Sequence, residues 1–265
     1  MKIRMINLIA LFFLLSVSAD AQYVISDKDG YTNVRERPDV NSPIIGRILN
    51  DQLFYNAYDV CEFDMKDASG NDIEETEKWL PVLIRQHPLV GYIYKKNVRQ
   101  ISLCPAITPH RTGAMTALFD DNNLKITITL QSIIDSEFVI RKNSHSHTLR
   151  VGQHKPYFSY DGNTVIKEML IEWKNQKRKI SEVYFYDLFL YENLLENLDS
   201  FGNGEWSPIQ LRKGDHNTYY LLIHGGDGSE SYSVTFIIKD GRIITRSLFE
   251  ICEPPAVILT NDEDI

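Results

Sequence analysis

Hydrophobic and polar positions alternate most cleanly near the middle of the chain. Leu124, Ile126, Ile128 and Leu130 are separated by Lys125, Thr127 and Thr129. That period of two puts one strand face on a core and the other toward water. Thr218 to His224 reads as another strand. Ser231–Ile238 and Ile243–Leu248 are two β-branched runs joined by Lys239-Asp240-Gly241-Arg242, and Asp-Gly between such runs suits a type I′ hairpin. Phe138 to Arg141 and Ser146 to Val151 are expected as neighbours of the 124–130 strand, across a Lys142–His145 turn. Thr164 to Trp173 has strand content with broken alternation, which leaves a helix open. Glu182 to Asn197 is ambiguous. Tyr184-Phe185-Tyr186 favours a strand, while Leu188 to Leu198 has leucines at helical spacing.

The first hundred residues follow a different rhythm of shorter runs. Tyr31 to Arg35 has strand content after the Asp29-Gly30 turn signal, and Pro38 breaks it because proline lacks an N–H and fixes φ. Ile44 to Leu49 restarts a strand, with Gly46 marking a bulge or a close backbone approach. Leu53 to Val60 follows, and Trp79 to Val98 supplies further strands. Strand, polar break, strand, turn, strand is the pattern of a small barrel.

The same residues resemble the bacterial SH3-like (SH3b) family. The resemblance rests on Asn33-Val34-Arg35, Pro38, Ile45-Gly46, Trp79 with Val82, and Gly91-Tyr92-Ile93, in that order, and covers about residues 23–102. There are departures. Glu36-Arg37 stands where the family has small residues, Asp51 where it often has glycine, and Tyr92 where it has tryptophan. An acidic insertion, Cys61 to Lys78, precedes the Trp79 strand. The resemblance implies an SH3-like barrel that binds a peptide, and such domains in exported proteins often accompany cell-wall hydrolases.

The ends define the remaining divisions. Lys2 and Arg4 precede a short apolar run, Ile6 to Val17, and Ala19-Asp20-Ala21 gives a small-x-small cleavage pattern, so 1–21 is expected to be a secretory signal. No cysteine adjoins the cleavage site, and no later run approaches the ~20 apolar residues of a membrane span. The expectation is an exported chain, periplasmic or extracellular, with no membrane insertion after signal cleavage. Residues 103–115, with two prolines, a glycine and no periodicity, read as a linker with a boundary near residue 105. Residues 116–252 read as a β-rich domain, an antiparallel sheet or sandwich with room for one helix, and 253–265 as a frayed tail. The fold class expected is therefore mainly β.

Charge and cysteines narrow the chemistry. The 265-residue chain carries a formal charge of −8, and loss of the signal makes it one unit more negative. With no basic run it has no electrostatic footprint for nucleic acid. Cys61, Cys104 and Cys252 form no Cys-x-x-Cys, and Cys61 with Cys104 is the disulfide expected in an oxidising compartment. No Gly-x-Ser-x-Gly elbow and no His-Glu-x-x-His is present, Cys104 sits among prolines, and no histidine follows Cys252. Glu182 and Asp187 are a carboxylate pair of the kind an acidic chain supplies by chance. No cofactor is implied.

Three candidate sites remain. Tyr55, Tyr58, Tyr92 and Tyr94 are the aromatics expected to face solvent and line a peptide groove, with barrel packing as the alternative. His145, His147 and His154 could hold a metal, since positions 145 and 147 share a strand face, against an ordinary polar turn. Asp64, Asp67, Asn71, Asp72 and Glu74 could hold calcium, and the amides of Gly225 to Glu230 could cradle an anion; solvated hairpins explain both stretches as well. The reading these support is an exported non-catalytic binding protein whose partner is a peptidoglycan peptide or a protein segment. A cell-envelope hydrolase using carboxylates or histidines is the alternative, and an inhibitor or immunity-type protein for a basic partner is the third.

Overall fold

Two of the apolar runs, those at 218–225 and 232–239, lie in the middle layer of three. The computed structural model describes residues 22–57, 66–67, 72–73, 75–85, 90–133, 140–142, 148–151, 164–190, 208–225 and 232–250. The protein is mainly β, with antiparallel sheets and no helix of seven or more residues.

The first layer is a small barrel-like unit. Its strands are β1 (Gln22–Ile25), β2 (Tyr31–Arg35), β3 (Ile44–Leu49), β4 (Leu53–Tyr55), β5 (Trp79–Leu83), β6 (Val90–Tyr94) and β7 (Val98–Gln100). They form two sheets, β4-β1-β7 and β3-β2-β6-β5. Ile25, Val34, Ile48, Phe54, Leu80, Val82, Ile84 and Ile93, drawn from both sheets, close one core. The register between β2 and β3 slips beside Gly46, as a bulge there requires. Gly91 has a second reason to be glycine, because a Cβ at this position would lie 2.4 Å from Val34 Cγ1.

The other two layers form a sandwich. The outer sheet runs β15-β14-β11-β10-β9, with β16 beside β14. Its strands are β9 (Pro109–Gly113), β10 (Thr116–Asp121), β11 (Leu124–Ser132), β14 (Thr164–Trp173), β15 (Gln176–Lys179) and β16 (Phe189–Leu190). The central sheet runs β20-β19-β18-β17-β8, with β8 (Ala106–Ile107), β17 (Ile209–Lys213), β18 (Thr218–Gly225), β19 (Tyr232–Lys239) and β20 (Arg242–Glu250). Ile126, Ile128, Met169, Leu221, Ile223, Val234 and Phe236 meet between the two sheets in the largest core. The alternation at 124–130 marks β11, whose one face is buried there.

The central sheet is apolar on both faces, because the barrel covers the other one. Tyr220, Leu222 and Ile237 pack against Val24, Ile101 and Cys104. Burial of a large apolar side chain stabilises by roughly 1.5–3 kcal/mol, so this seam is a substantial contact. Polar groups reinforce it. Thr235 Oγ1 donates to Gln22 Oε1 at 2.5 Å and Arg212 Nη1 to the Cys104 carbonyl at 3.3 Å. Arg99 and Asp215 form an ion pair at 2.6 Å. β18 and β19 therefore read as near-continuous apolar runs instead of alternating ones.

Several expectations change. Residues 103–115 are no free linker. After a 3-10 turn at Ile101–Leu103, β8 pairs with β17 and β9 with β10. Both are edge strands, where a proline's missing N–H costs no ladder bond. Residues 140–142 (β12) and 148–151 (β13) pair with each other in a separate sheet, and β11 has β10 and β14 as neighbours. Thr164–Trp173 is a strand, and its broken alternation has a cause: Val165 faces away from the main core but is covered by Ile133 and Phe189. The ambiguous stretch gives a 3-10 turn at Glu182–Tyr184 and then β16, and residues 191–197 lie outside the described residues. Asp187 accepts two hydrogen bonds from Arg246 Nη2, at 2.6 and 2.7 Å, so the Glu182/Asp187 pairing gives way to a structural ion pair. Cys104 is a free, buried thiol 3.8 Å from the Gln100 carbonyl, which removes the expected Cys61–Cys104 disulfide. Burial pushes that thiol's pKa up. The Asp-Gly hairpin forms as expected. Asp240 and Gly241 have φ of 48° and 73°, the two positive values a type I′ turn needs.

Candidate functional site

A concave feature of the barrel-like unit sits where the ends of three segments meet. β2 contributes Thr32, Asn33 and Arg35. The loop from β2 to β3 contributes Pro38, Asp39 and Val40. Lys78 and Trp79 open β5, and Tyr94 closes β6. Together they line a cleft of about 560 Å³.

Its aromatic wall follows from strand register. Trp79 and Tyr94 are directly opposite on β5 and β6, and their rings meet edge to face with centroids 5.7 Å apart. Tyr94 is 43% exposed, and Val40 across the loop is 66% exposed. Exposed aromatic and aliphatic surface beside polar groups is the usual composition of a ligand cleft.

The opposite wall is held in place by local bonds. Arg35 Nη1 donates to the Ser42 carbonyl at 2.6 Å, and Arg37 N to Ser42 Oγ at 2.9 Å. Glu36 N donates to the Pro43 carbonyl at 3.0 Å, and Asn41 N to Asp39 Oδ1 at 2.9 Å. Ser42 is buried as the hub of this network. The β2–β3 loop is thus a fixed wall, and the Asp39 carboxylate is engaged with the loop itself. Behind β5, Lys95 and Asn56 donate to Glu75 at 2.5 and 2.9 Å. Partial burial works against ionisation of Glu75, but these hydrogen bonds outweigh it and hold the carboxyl below its usual range.

Of the three described tyrosines among the four expected at a groove, Tyr94 is the one that lines this cleft. Tyr55 is 2% exposed, because β4 faces the central sheet and its ring packs edge to face on Phe249 at 4.9 Å. Its hydroxyl has no hydrogen-bond partner, and burial pushes its pKa far up. Tyr92 is 1% exposed although it alternates to the same side of β6 as Tyr94. The expectation of solvent-facing rings therefore fails for Tyr55 and Tyr92. Tyr58 lies outside the described residues, as do His145, His147, His154, Asp64, Asn71, Glu74 and residues 226–231. Lys66 and Asp72, in the acidic insertion, form an ion pair. Among the described residues no three His, Cys, Asp or Glu side chains come together as a metal site, and no helix is long and apolar enough to cross a membrane.

The residues missed from sequence are Trp79, Arg35 and Lys78. Trp79 and Arg35 are among the residues on which the SH3-like resemblance rests, a signal that marks them as strand positions and not as cleft residues. Lys78 had none, because its place at the cleft depends on the register of β5 against β6.

A second polar group lies in the seam. His224 alternates with Leu222 and Tyr220 on the barrel-facing side of β18, opposite Ser233 on β19. Burial pulls its imidazole pKa down to about 4. Ser233 Oγ beside it is buried without a partner.

A search against protein-family models, curated proteins and solved structures finds no match to this chain.

Proposed function

We propose that this is an exported binding protein whose barrel-like unit, an SH3-like module, recognises a cell-wall peptide or an extended protein segment in the Trp79/Tyr94 cleft. The observation that carries the reading is the pairing of an exposed aromatic wall with a hydrogen-bonded loop wall. Aromatic-lined grooves of fixed shape suit extended peptides, because little ordering is required of the protein on binding. The cleft lining is aromatic, amide and charged, a set that holds and orients a ligand. The sandwich, joined to the barrel through the seam, serves as the scaffold. The short apolar leader read from residues 1–21 supports export, and the acidic composition supports a partner other than nucleic acid.

The test is co-sedimentation of the mature protein with purified peptidoglycan. Trp79→Ala and Tyr94→Ala, each checked for folding by circular dichroism, are expected to reduce retention about tenfold, as loss of an aromatic anchor does. Undiminished retention in both folded variants would remove the cleft from the reading. No retention of the wild type would remove the wall as its target.

A further inference from the structure

Resting on that reading, we infer that the cleft selects a peptide by its free carboxylate, held by Arg35 and Lys78 beside the aromatic wall. The chain as a whole is acidic, at −8, and should be repelled by an anionic ligand. The cleft lining instead carries two cations, Arg35 and Lys78, against one carboxylate, Asp39. Among the described residues neither cation has a carboxylate partner. Elsewhere many cations are matched: Lys95 with Glu75, Lys125 with Asp120, Lys213 with Asp121 and Arg246 with Asp187. The one carboxylate of the lining, Asp39, accepts from Asn41 N and Asn41 Nδ2 within its own loop, at 2.9 and 3.4 Å.

Arg35 is the orienting member. One of its nitrogens is fixed on the Ser42 carbonyl, which leaves the rest of the planar fork held in one direction. A guanidinium with spare donors suits a carboxylate geometrically, and the Lys78 ammonium adds a compact point charge to the same lining. A ligand whose apolar part lies on Trp79 and whose carboxylate meets these two cations fills the concave face, and the volume of about 560 Å³ limits it to a short peptide segment.

The test uses whole wall material with and without its carboxyl groups. Purified peptidoglycan is split in two, and one half has its carboxylates converted to neutral amides by carbodiimide and ammonia. Sedimentation of the mature protein is measured on both halves, for the wild type, Lys78→Gln and Arg35→Gln. The expected result is at least about fivefold stronger retention of the wild type on untreated wall, and near loss of that preference in Lys78→Gln. This direction is opposite to what net charge alone dictates, since amidation relieves repulsion of an acidic protein. Equal retention on both halves, or better retention on the amidated half, would overturn the carboxylate inference and leave the peptide cleft standing. Phosphate groups survive the treatment, so recognition of phosphate gives that same overturning result. Full preference in both folded variants would overturn the assignment to these residues. Retention on neither half would overturn the inference and the proposed function together.

Discussion

Two aromatic contacts made by the barrel-like unit look alike in sequence and end in different surroundings. Trp79 and Tyr94 meet edge to face at 5.7 Å at the cleft, and Tyr55 and Phe249 meet edge to face at 4.9 Å in the seam. All four belong to strands with aromatic and β-branched neighbours. What separates them is the layer placed opposite. The central sheet lies across β4, and among the described residues no comparable layer covers the end of β6. A tyrosine on a strand is a ligand contact or a packing residue according to what the rest of the chain brings over it, which a local pattern does not contain.

The comparison can be broken most forcefully at Phe249. Phe249→Ala should cost about 3–4 kcal/mol, read as a lower urea midpoint, because it empties a buried ring position between the barrel and the central sheet. A loss below about 1 kcal/mol would show that the seam is loosely packed.

His224 sharpens the comparison through pH. Its folded pKa, about 4, lies below its ordinary value of 6.5. Between those two values the unfolded chain takes up a proton that the folded chain excludes, so stability falls as pH drops through that window. The full shift is worth about 3 kcal/mol, and the ring's partial exposure lowers the expected loss to about 2 kcal/mol. Urea unfolding at pH 7 and pH 4.5 should show this loss in the wild type and a smaller one in His224→Asn. The carboxylates held below their usual range, Glu75 and Asp121, give their loss lower down, as pH falls below about 4.

Smaller effects follow from the two tyrosines. Tyr55→Phe removes a buried hydroxyl that has no partner and should raise stability by about 1 kcal/mol, seen as a higher urea midpoint. A decrease would mean that the hydroxyl is bonded in solution. Tyr94→Ala should change stability by less than about 1 kcal/mol while weakening retention on the wall, because the residue is 43% exposed and lies at the surface. The same size of loss at Tyr94 as at Phe249 would erase the contrast between the two contacts.

Much of the strand content was legible. The alternation at 124–130 and the Asp-Gly hairpin are local signals, and both elements formed as read. The region 103–115 was misread because proline and glycine punctuate loops and edge strands alike, and only pairing with β17 and β10 distinguishes them. That β18 and β19 are covered on both faces shows in their near-continuous apolar content, interrupted by Ser233, Thr235 and His224. The identity of the second cover does not, because Val24 and Ile101 lie more than a hundred residues away in sequence. Of the cleft, Tyr94 is legible in the sequence as a groove residue and Trp79 as a strand residue. That Arg35 and Lys78 line one cleft depends on β2, β6 and β5 lying side by side, which no single stretch encodes.

The doubly covered central sheet also bears on portability. A chain ending near residue 105 would hold every strand of the barrel-like unit, and it would also leave Val24, Ile101 and Cys104 without Tyr220, Leu222 and Ile237 to cover them. Grafted onto another protein, such a fragment would bring an apolar flank that its new host does not finish. The barrel behaves less like an interchangeable cassette than like one end of a single object, and any engineered reader made from its cleft has to carry the sandwich along.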